Sequence, residues 1–190
     1  FQIMASHCDS PVFKIKENPE MEAEGHYVRL NVEKYGGMLC APWFDRPLSV
    51  AGRLVIRTEN AIETRLCDAR RDLLMLPSLA IHMNRQANDG TKYQMQKEFL
   101  PLYGDERAKG RFLEQMADCA GVNIENMLSY DLYVYSRMPG TVWGADREYM
   151  SVGRLDDLQC VFASLEAFLD SGTGKSIPVH CVFDNEEVGS

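Results

Sequence analysis

The sequence predicts an α/β protein interrupted by a β-rich insertion, and three observations carry that prediction. Leu155, Leu158, Val161, Phe162, Leu165, Phe168 and Leu169 recur at helical spacing and make a wide apolar stripe. The β-branched run Ile177–Phe183 reads as a short strand that breaks into Asp184, Asn185, Glu186 and Glu187. Between the chain's two ends, from Tyr27 onward, short alternating runs separated by turn residues predominate. A helix flanked by strands, with acids delivered to a strand's carboxyl end, is how open α/β sheets build sites.

Phe1–Ser6 is apolar and strand-like, and Pro11 stops any helix soon after it. Val12–Lys16 alternates apolar and basic residues, as a half-buried strand does. Glu17–Gly25 is polar, acidic and contains Pro19, which predicts a loop and a domain crossing. Tyr27–Val32 and Val50–Ile56 are expected strands, with Gly36-Gly37 a turn between them. Leu79–Met83 is a short apolar run carrying His82, and Asn88-Asp89-Gly90 signals a turn. Asp105–Ala120 is expected to be helical, with Phe112, Leu113, Met116 and Ala120 on one side and Gly121 as its stop. Leu132–Tyr135 is another strand, and Met138-Pro139-Gly140 marks the return from the insertion. Asp170–Gly174 ends the long helix. The expected division is residues 1–18 and 140–190 for the outer domain and 19–139 for the insertion.

Composition narrows the function classes. Apolar residues at 45% and charged residues at 25% are ordinary for a globular chain. A net charge of −8 argues against nucleic acid, whose binders carry a basic face, and against anionic lipid. No run of eighteen apolar residues is present to span a membrane. The six cysteines form no C-x-x-C pair and no disulfide framework, which points to a reducing, cytoplasmic compartment. Neither end falls in the exposed linker that marks a domain boundary, so a piece of a longer protein is expected.

The chemistry-bearing residues sit at the two ends. In extended backbone, residues i and i+2 share a face, so Asp9 can accept a hydrogen bond from one ring nitrogen of His7 while the other binds metal. Read alone, the pair is a weak signal, and a histidine satisfied by a neighbouring carboxylate is more common than a ligand. Glu186 and Glu187 point to opposite faces and can do different jobs, or form a solvated acidic loop. Asp156 suits a metal, or simply the first turn of a helix, where the dipole favours an acid. His180, mid-strand among apolar residues, reads as a hydrogen-bonded structural position.

Taken together the motifs are specific. Asp184-Asn185-Glu186-Glu187-Val188-Gly189-Ser190 resembles a signature of the aspartyl aminopeptidase family of two-zinc metallopeptidases. His7-Cys8-Asp9-Ser10-Pro11 is similar to the family's His-Thr-Asp-Ser-Pro, with Cys8 in place of threonine. Trp43–Arg53 and Leu79–Arg85 resemble further family segments. Arg154-Leu155-Asp156-Asp157 resembles Arg-Leu-Asp-Asn, with Asp157 in place of asparagine. The likeness runs in order along nearly the whole chain.

That resemblance implies a zinc-peptidase-type α/β catalytic domain, incomplete in this chain, with an inserted β-rich domain for oligomerisation. It implies two zinc ions per complete site. His7 would bind one, Asp156 would bridge both, and Glu187 would bind the second. Glu186 would be the general base for the metal-activated water, with Asp9 orienting His7. His82 would reach a neighbouring subunit's site and meet substrate. A bridging carboxylate suits two divalent ions about 4 Å apart. Peptide substrates with an acidic N-terminal residue are implied, as are dimers building to a dodecamer. The family's remaining aspartate and histidine ligands would lie beyond Ser190. The isolated chain is therefore expected to bind zinc weakly and to be inactive, since catalytic zinc takes three protein ligands. The competing reading is a non-catalytic assembly module or truncated relative.

Overall fold

The opening apolar run forms strand β1 (Gln2–His7), which lies parallel to the last strand, β10 (Pro178–Phe183). Their register sets Ala5 beside Cys181 and His7 beside Phe183, so both strands end together. The computed structural model describes residues 1–172 and 174–189. Thr173, in the expected stop of the long helix, and Ser190, at the end of the acidic run, lie outside them. The chain separates into two units, one of Phe1–Pro11, Tyr35–Met38 and Met138–Ser190, the other of Val12–Lys34 and Leu39–Arg137.

The first unit holds β1, β10, the short hairpin β8 (Thr141–Trp143) and β9 (Tyr149–Ser151), and the long helix over Leu155–Asp170. The Trp143 and Tyr149 rings, tilted 33° to each other with centroids 4.9 Å apart, pack across the hairpin. The helix lies on β1 and β10. Asp157, Val161, Ser164 and Phe168, at the four-three-four spacing of a helix face, are the half-buried residues of its length. Ser164 Oγ meets His180 Nε2 at 2.8 Å and Ser6 Oγ at 3.4 Å, which gives His180 its hydrogen bond. The apolar stripe is not a buried core. Leu155, Leu158, Phe162, Leu165 and Leu169 are exposed, because the two strands present only a narrow surface for the helix to cover.

The second unit is a six-stranded sheet whose strands are ordered β5-β4-β7-β2-β3-β6. These are β2 (Val12–Ala23), β3 (Tyr27–Tyr35), β4 (Leu48–Arg57), β5 (Ile62–Asp68), β6 (Leu102–Asp105) and β7 (Met127–Ser136). Its core is Phe13, Leu30, Leu48, Val50, Leu54, Phe99, Leu132 and Val134, with Phe112 and Met116 from a helix over Phe112–Ala120. Numbered in chain order, the helices are α1 (Met95–Glu98), α2 (Phe112–Ala120) and α3 (Leu155–Asp170).

Two expectations need correction here. Glu17–Gly25 is not a loop: β2 runs through Ala23 and turns tightly into β3. Glu24 and Gly25 take φ of 54° and 69°, and the His26 N–H donates to the Ala23 carbonyl at 3.1 Å, which is a two-residue hairpin turn. Pro19 is tolerated because the β2 pairing to β7 lies at Phe13 and Lys14. The expected helix over Asp105–Ala120 begins only at Phe112. Leu102–Asp105 pairs with β3 instead, and Asp105 then caps a single turn by accepting the Arg107 N–H at 3.0 Å. Glu20 on β2 accepts the Gly110 and Phe112 N–H groups, which satisfies the start of α2 and places an acid where its dipole favours one. Gly121 ends α2 in the left-handed conformation, as expected. The apolar run Leu79–Met83 lies on the surface. Ile81–Met83 is a turn, and Leu79, Ile81, His82 and Met83 are exposed. Among the described residues no helix is long and apolar enough to cross a membrane.

Candidate metal centre

The carboxyl ends of β1 and β10 bring the two ends of the chain together. His7 closes β1, and β10 runs out into Asp184 and a turn of 3-10 helix over Glu186–Val188. Within it, one donor atom each from His7, Glu186 and Glu187 lies within 4.8 Å of the others. His7 Nε2 stands 3.3 Å from Asp156 Oδ1 and 3.7 Å from Glu186 Oε2. One imidazole therefore faces Asp156, Glu186 and Glu187, with Asp157 Oδ2 at 3.9 Å, and a nitrogen-and-oxygen donor set of that kind suits zinc. Asp156 joins through His7, on a largely exposed carboxylate.

Asp9 organises the arrangement. Its buried carboxylate takes the Glu186 N–H at 3.2 Å on Oδ1 and the Glu187 N–H at 3.0 Å on Oδ2. Oδ1 also stands 3.2 Å from His7 Nδ1. This frees His7 Nε2 to face the acids and ties both glutamates to the same anchor. Burial pushes the Asp9 carboxyl up, but the Glu187 N–H, the Tyr35 hydroxyl and the Glu186 N–H outweigh it and hold it below its ordinary value. Burial lowers the His7 imidazole, while the Asp9 carbonyl and the charges of Glu186 and Asp157 more than reverse this, for a net rise. Burial, followed by the Glu186 charge, raises Glu187. Negative charge adds to both rises, and a cation relieves that part.

Helix α3 begins irregularly to reach this place. Asp156 takes an extended conformation (φ −82°, ψ 112°), and the Asp156–Asp157 peptide is cis. Asp156 is thus not an ordinary first-turn helix acid. Asp157 accepts the His7 backbone N–H at 3.1 Å. The Cys160 thiol and that N–H hold the Asp157 carboxyl below its usual range. The Cys8 thiol turns to the Phe183 carbonyl and Asp184, outside the His7–Glu186–Glu187 cluster. His82 belongs to the second unit, on its exposed turn.

Sequence reading missed Tyr35, whose hydroxyl donates to Asp9 Oδ2 at 2.8 Å. It missed the role of Gly36 as well. With φ +75°, Gly36 sits so close to the acidic turn that a Cβ there would fall 2.9 Å from Glu187 Cβ. The available signal was the Tyr35-Gly36-Gly37 triplet closing a strand, which reads as a turn and says nothing of its contact.

Comparison with known proteins gives this geometry its family. The zinc-peptidase-type α/β fold is shared with solved aminopeptidase structures. Chaetomium thermophilum mApe1 superposes with a TM-score of 0.84 at 25% identity, over all of this chain and 46% of that one. Saccharomyces cerevisiae mApe1, solved as a dodecamer, superposes with a TM-score of 0.77 at 28% identity, over all of this chain and 44% of that one. In sequence, the probable M18 family aminopeptidase 2 of Clostridium acetobutylicum is 43% identical over 196 aligned positions. That alignment takes in all of this chain and 45% of the relative, so the chain spans about half the length of the relatives it matches. The chain belongs to the aminopeptidase I zinc metalloprotease family (M18), whose family model matches residues 1–190.

Proposed function

We propose that this chain supplies the first half of a two-zinc aminopeptidase site that removes acidic N-terminal residues from peptides. The observation that carries the reading is the convergence of His7, Glu186 and Glu187, from opposite ends of the sequence, within 4.8 Å. His7, Asp156 and Glu187 are the proposed ligands, Asp156 bridging. Zinc, when bound, supplies a Lewis acid that polarises the scissile carbonyl and acidifies water. Glu186 takes the proton from the attacking water and returns it to the leaving amine. Its Oε2, 3.7 Å from His7 Nε2, is close enough to the ligand shell for that task. Asp9 is a positioning residue: it fixes the His7 ring through Nδ1 and both glutamate backbones through their N–H groups. His82, on its exposed turn, is proposed to meet substrate in a neighbouring subunit. Self-assembly of dimers into a dodecamer is proposed with it, supported by the dodecameric Saccharomyces cerevisiae relative. The free cysteines accord with a cytoplasmic setting.

Each ion draws two ligands from these residues, short of the usual three. The isolated chain is therefore proposed to hold zinc weakly and not to turn over. A chimera in which these 190 residues replace the matched part of the Clostridium acetobutylicum relative tests the reading. It should release N-terminal aspartate from a chromogenic substrate faster than leucine. E186Q in the chimera should lower kcat by about a hundredfold or more while zinc stays bound. A zinc-loaded chimera without peptidase activity would overturn the assignment, and turnover by the bare chain would overturn the claim of incompleteness.

A further inference from the structure

Strand β5 lies at one edge of the six-stranded sheet and pairs with β4 on one side only. That pairing runs from Arg57↔Ile62 to Ala51↔Asp68 without a register shift. Helix α2 packs on β5, and Cys67 is buried on one face of the strand. Its other face carries Ile62 and Leu66, which are 68% and 82% exposed, with exposed Thr64 between them. Sheet edges are ordinarily guarded by proline, bulges or inward charge. This one has no proline, no bulge and two exposed aliphatic side chains on one side, and the charges on its other side, Glu63 and Arg65, are of opposite sign.

We propose that β5 pairs antiparallel with β5 of a second copy, about a two-fold axis through Thr64, so that the sheet continues across two subunits. The sequence around that axis is self-complementary. Ile62 of each copy falls opposite Leu66 of the other, on the exposed face. Glu63 of each copy falls opposite Arg65 of the other, on the opposite face. Within one chain Arg65 Nη2 already reaches Glu63 Oε2 at 2.7 Å, so pairing exchanges the two ion pairs within the copies for two between them. An axis through Glu63 or Arg65 would set like charges against each other, which disfavours those registers. A two-fold axis uses the same patch on both partners, which is what this palindrome of side chains provides. The inference deepens the self-assembly proposed above and rests on it.

Sedimentation velocity on the 190-residue chain tests the pairing by charge reversal. E63R places two cations against Arg65 across the axis, and R65E places two anions against Glu63. Each variant alone should self-associate at least tenfold more weakly than the parent. An equimolar mixture of the two should associate at parental strength, because every opposed pair in the mixed dimer is then attractive; so should the double variant E63R/R65E. T64C, treated with a short bismaleimide linker, should yield a covalent dimer above the parent's background without disturbing either charge. Undiminished association of E63R and R65E, or no added crosslink from T64C, would place the contact elsewhere and overturn β5 pairing while leaving self-assembly standing. A parent chain that stays monomeric at high concentration would overturn both.

Discussion

The Asp9 carboxylate receives the backbone N–H of Glu187 at 3.0 Å, across 178 positions of sequence. Removing that carboxylate releases both glutamate backbones and the Tyr35 hydroxyl at once and leaves His7 Nδ1 with the Asp9 carbonyl alone. D9A should weaken zinc binding by about 10- to 100-fold, the usual cost of losing a partner behind a metal ligand. Y35F, which removes one of the four donors, should have a clearly smaller effect. Competition with a chromophoric chelator measures both. Equal affinity for D9A and the parent would remove Asp9 from the site.

Zinc binding should depend on pH through His7. Its imidazole is raised above the ordinary value in the metal-free chain, so protons compete with the ion more effectively than at a free histidine. Affinity should be full above that raised value and fall as pH drops through it. Titrating zinc into the chain at a series of pH values would locate the midpoint. A midpoint below that of free histidine would contradict the charge environment described.

Gly36 should not accept a side chain. Alanine there would combine a left-handed φ with a 2.9 Å approach to Glu187 Cβ. G36A should cost about 1–2 kcal/mol from the backbone alone. Because the crowding falls on Glu187, zinc affinity should drop as well, whereas G37A, with nothing within 4 Å of its added Cβ, should leave zinc binding intact. Thermal melts and chelator competition on the pair separate the two.

Acid should loosen the second unit through Asp131. Burial pushes this carboxyl up, yet hydrogen bonds from Lys14 at 2.8 Å and Arg53 at 2.9 Å win and hold it below 3.8. A group with a depressed folded pKa contributes stability above its unfolded value and loses it as pH falls through the folded one. The parent should therefore lose stability below about pH 4, and D131N should show a shallower acid limb. Near neutrality D131N should cost only about 0.5–1 kcal/mol, since the Lys14 and Arg53 side chains are 36% and 56% exposed and solvent screens them. Denaturant melts from pH 3 to 7 would show it.

The cysteines should divide by reactivity. Burial drives the Cys67 thiol to about 11, whereas Cys119, on α2 of the same unit, is exposed. At pH 8 only about a thousandth of Cys67 is thiolate. Iodoacetamide followed by peptide mapping should find Cys119 alkylated and Cys67 protected until the chain is unfolded.

Legibility in the sequence followed whether a signal was local. β1, β4, β7, β10 and the body of α3 declare themselves by periodicity, and Gly121 by its place after α2. β5 was missed because Glu63, Thr64 and Arg65 interrupt its apolar residues, as befits an edge. β8 and β9 are only three residues each. The start of α2 was misplaced because the group that satisfies it, Glu20, lies 92 positions away from Phe112. At the site, His7, Asp9, Asp156, Glu186 and Glu187 stand in recognisable short motifs. Tyr35 and the hold of Asp157 on His7 do not, because those contacts exist only once distant segments meet.

The parallel pairing of β1 with β10 has a consequence for how the protein is made. The donors on these strands bracket the entire six-stranded sheet in the sequence, so that sheet can leave the ribosome and fold before Glu186 and Glu187 have been added. His7 precedes that sheet in the sequence and Glu186 and Glu187 follow it, so the imidazole waits for the whole sheet before its acids arrive. Assembly of the metal-binding cluster therefore follows synthesis of the sheet, and a polypeptide released before Glu186 would carry a folded sheet and no competent cluster.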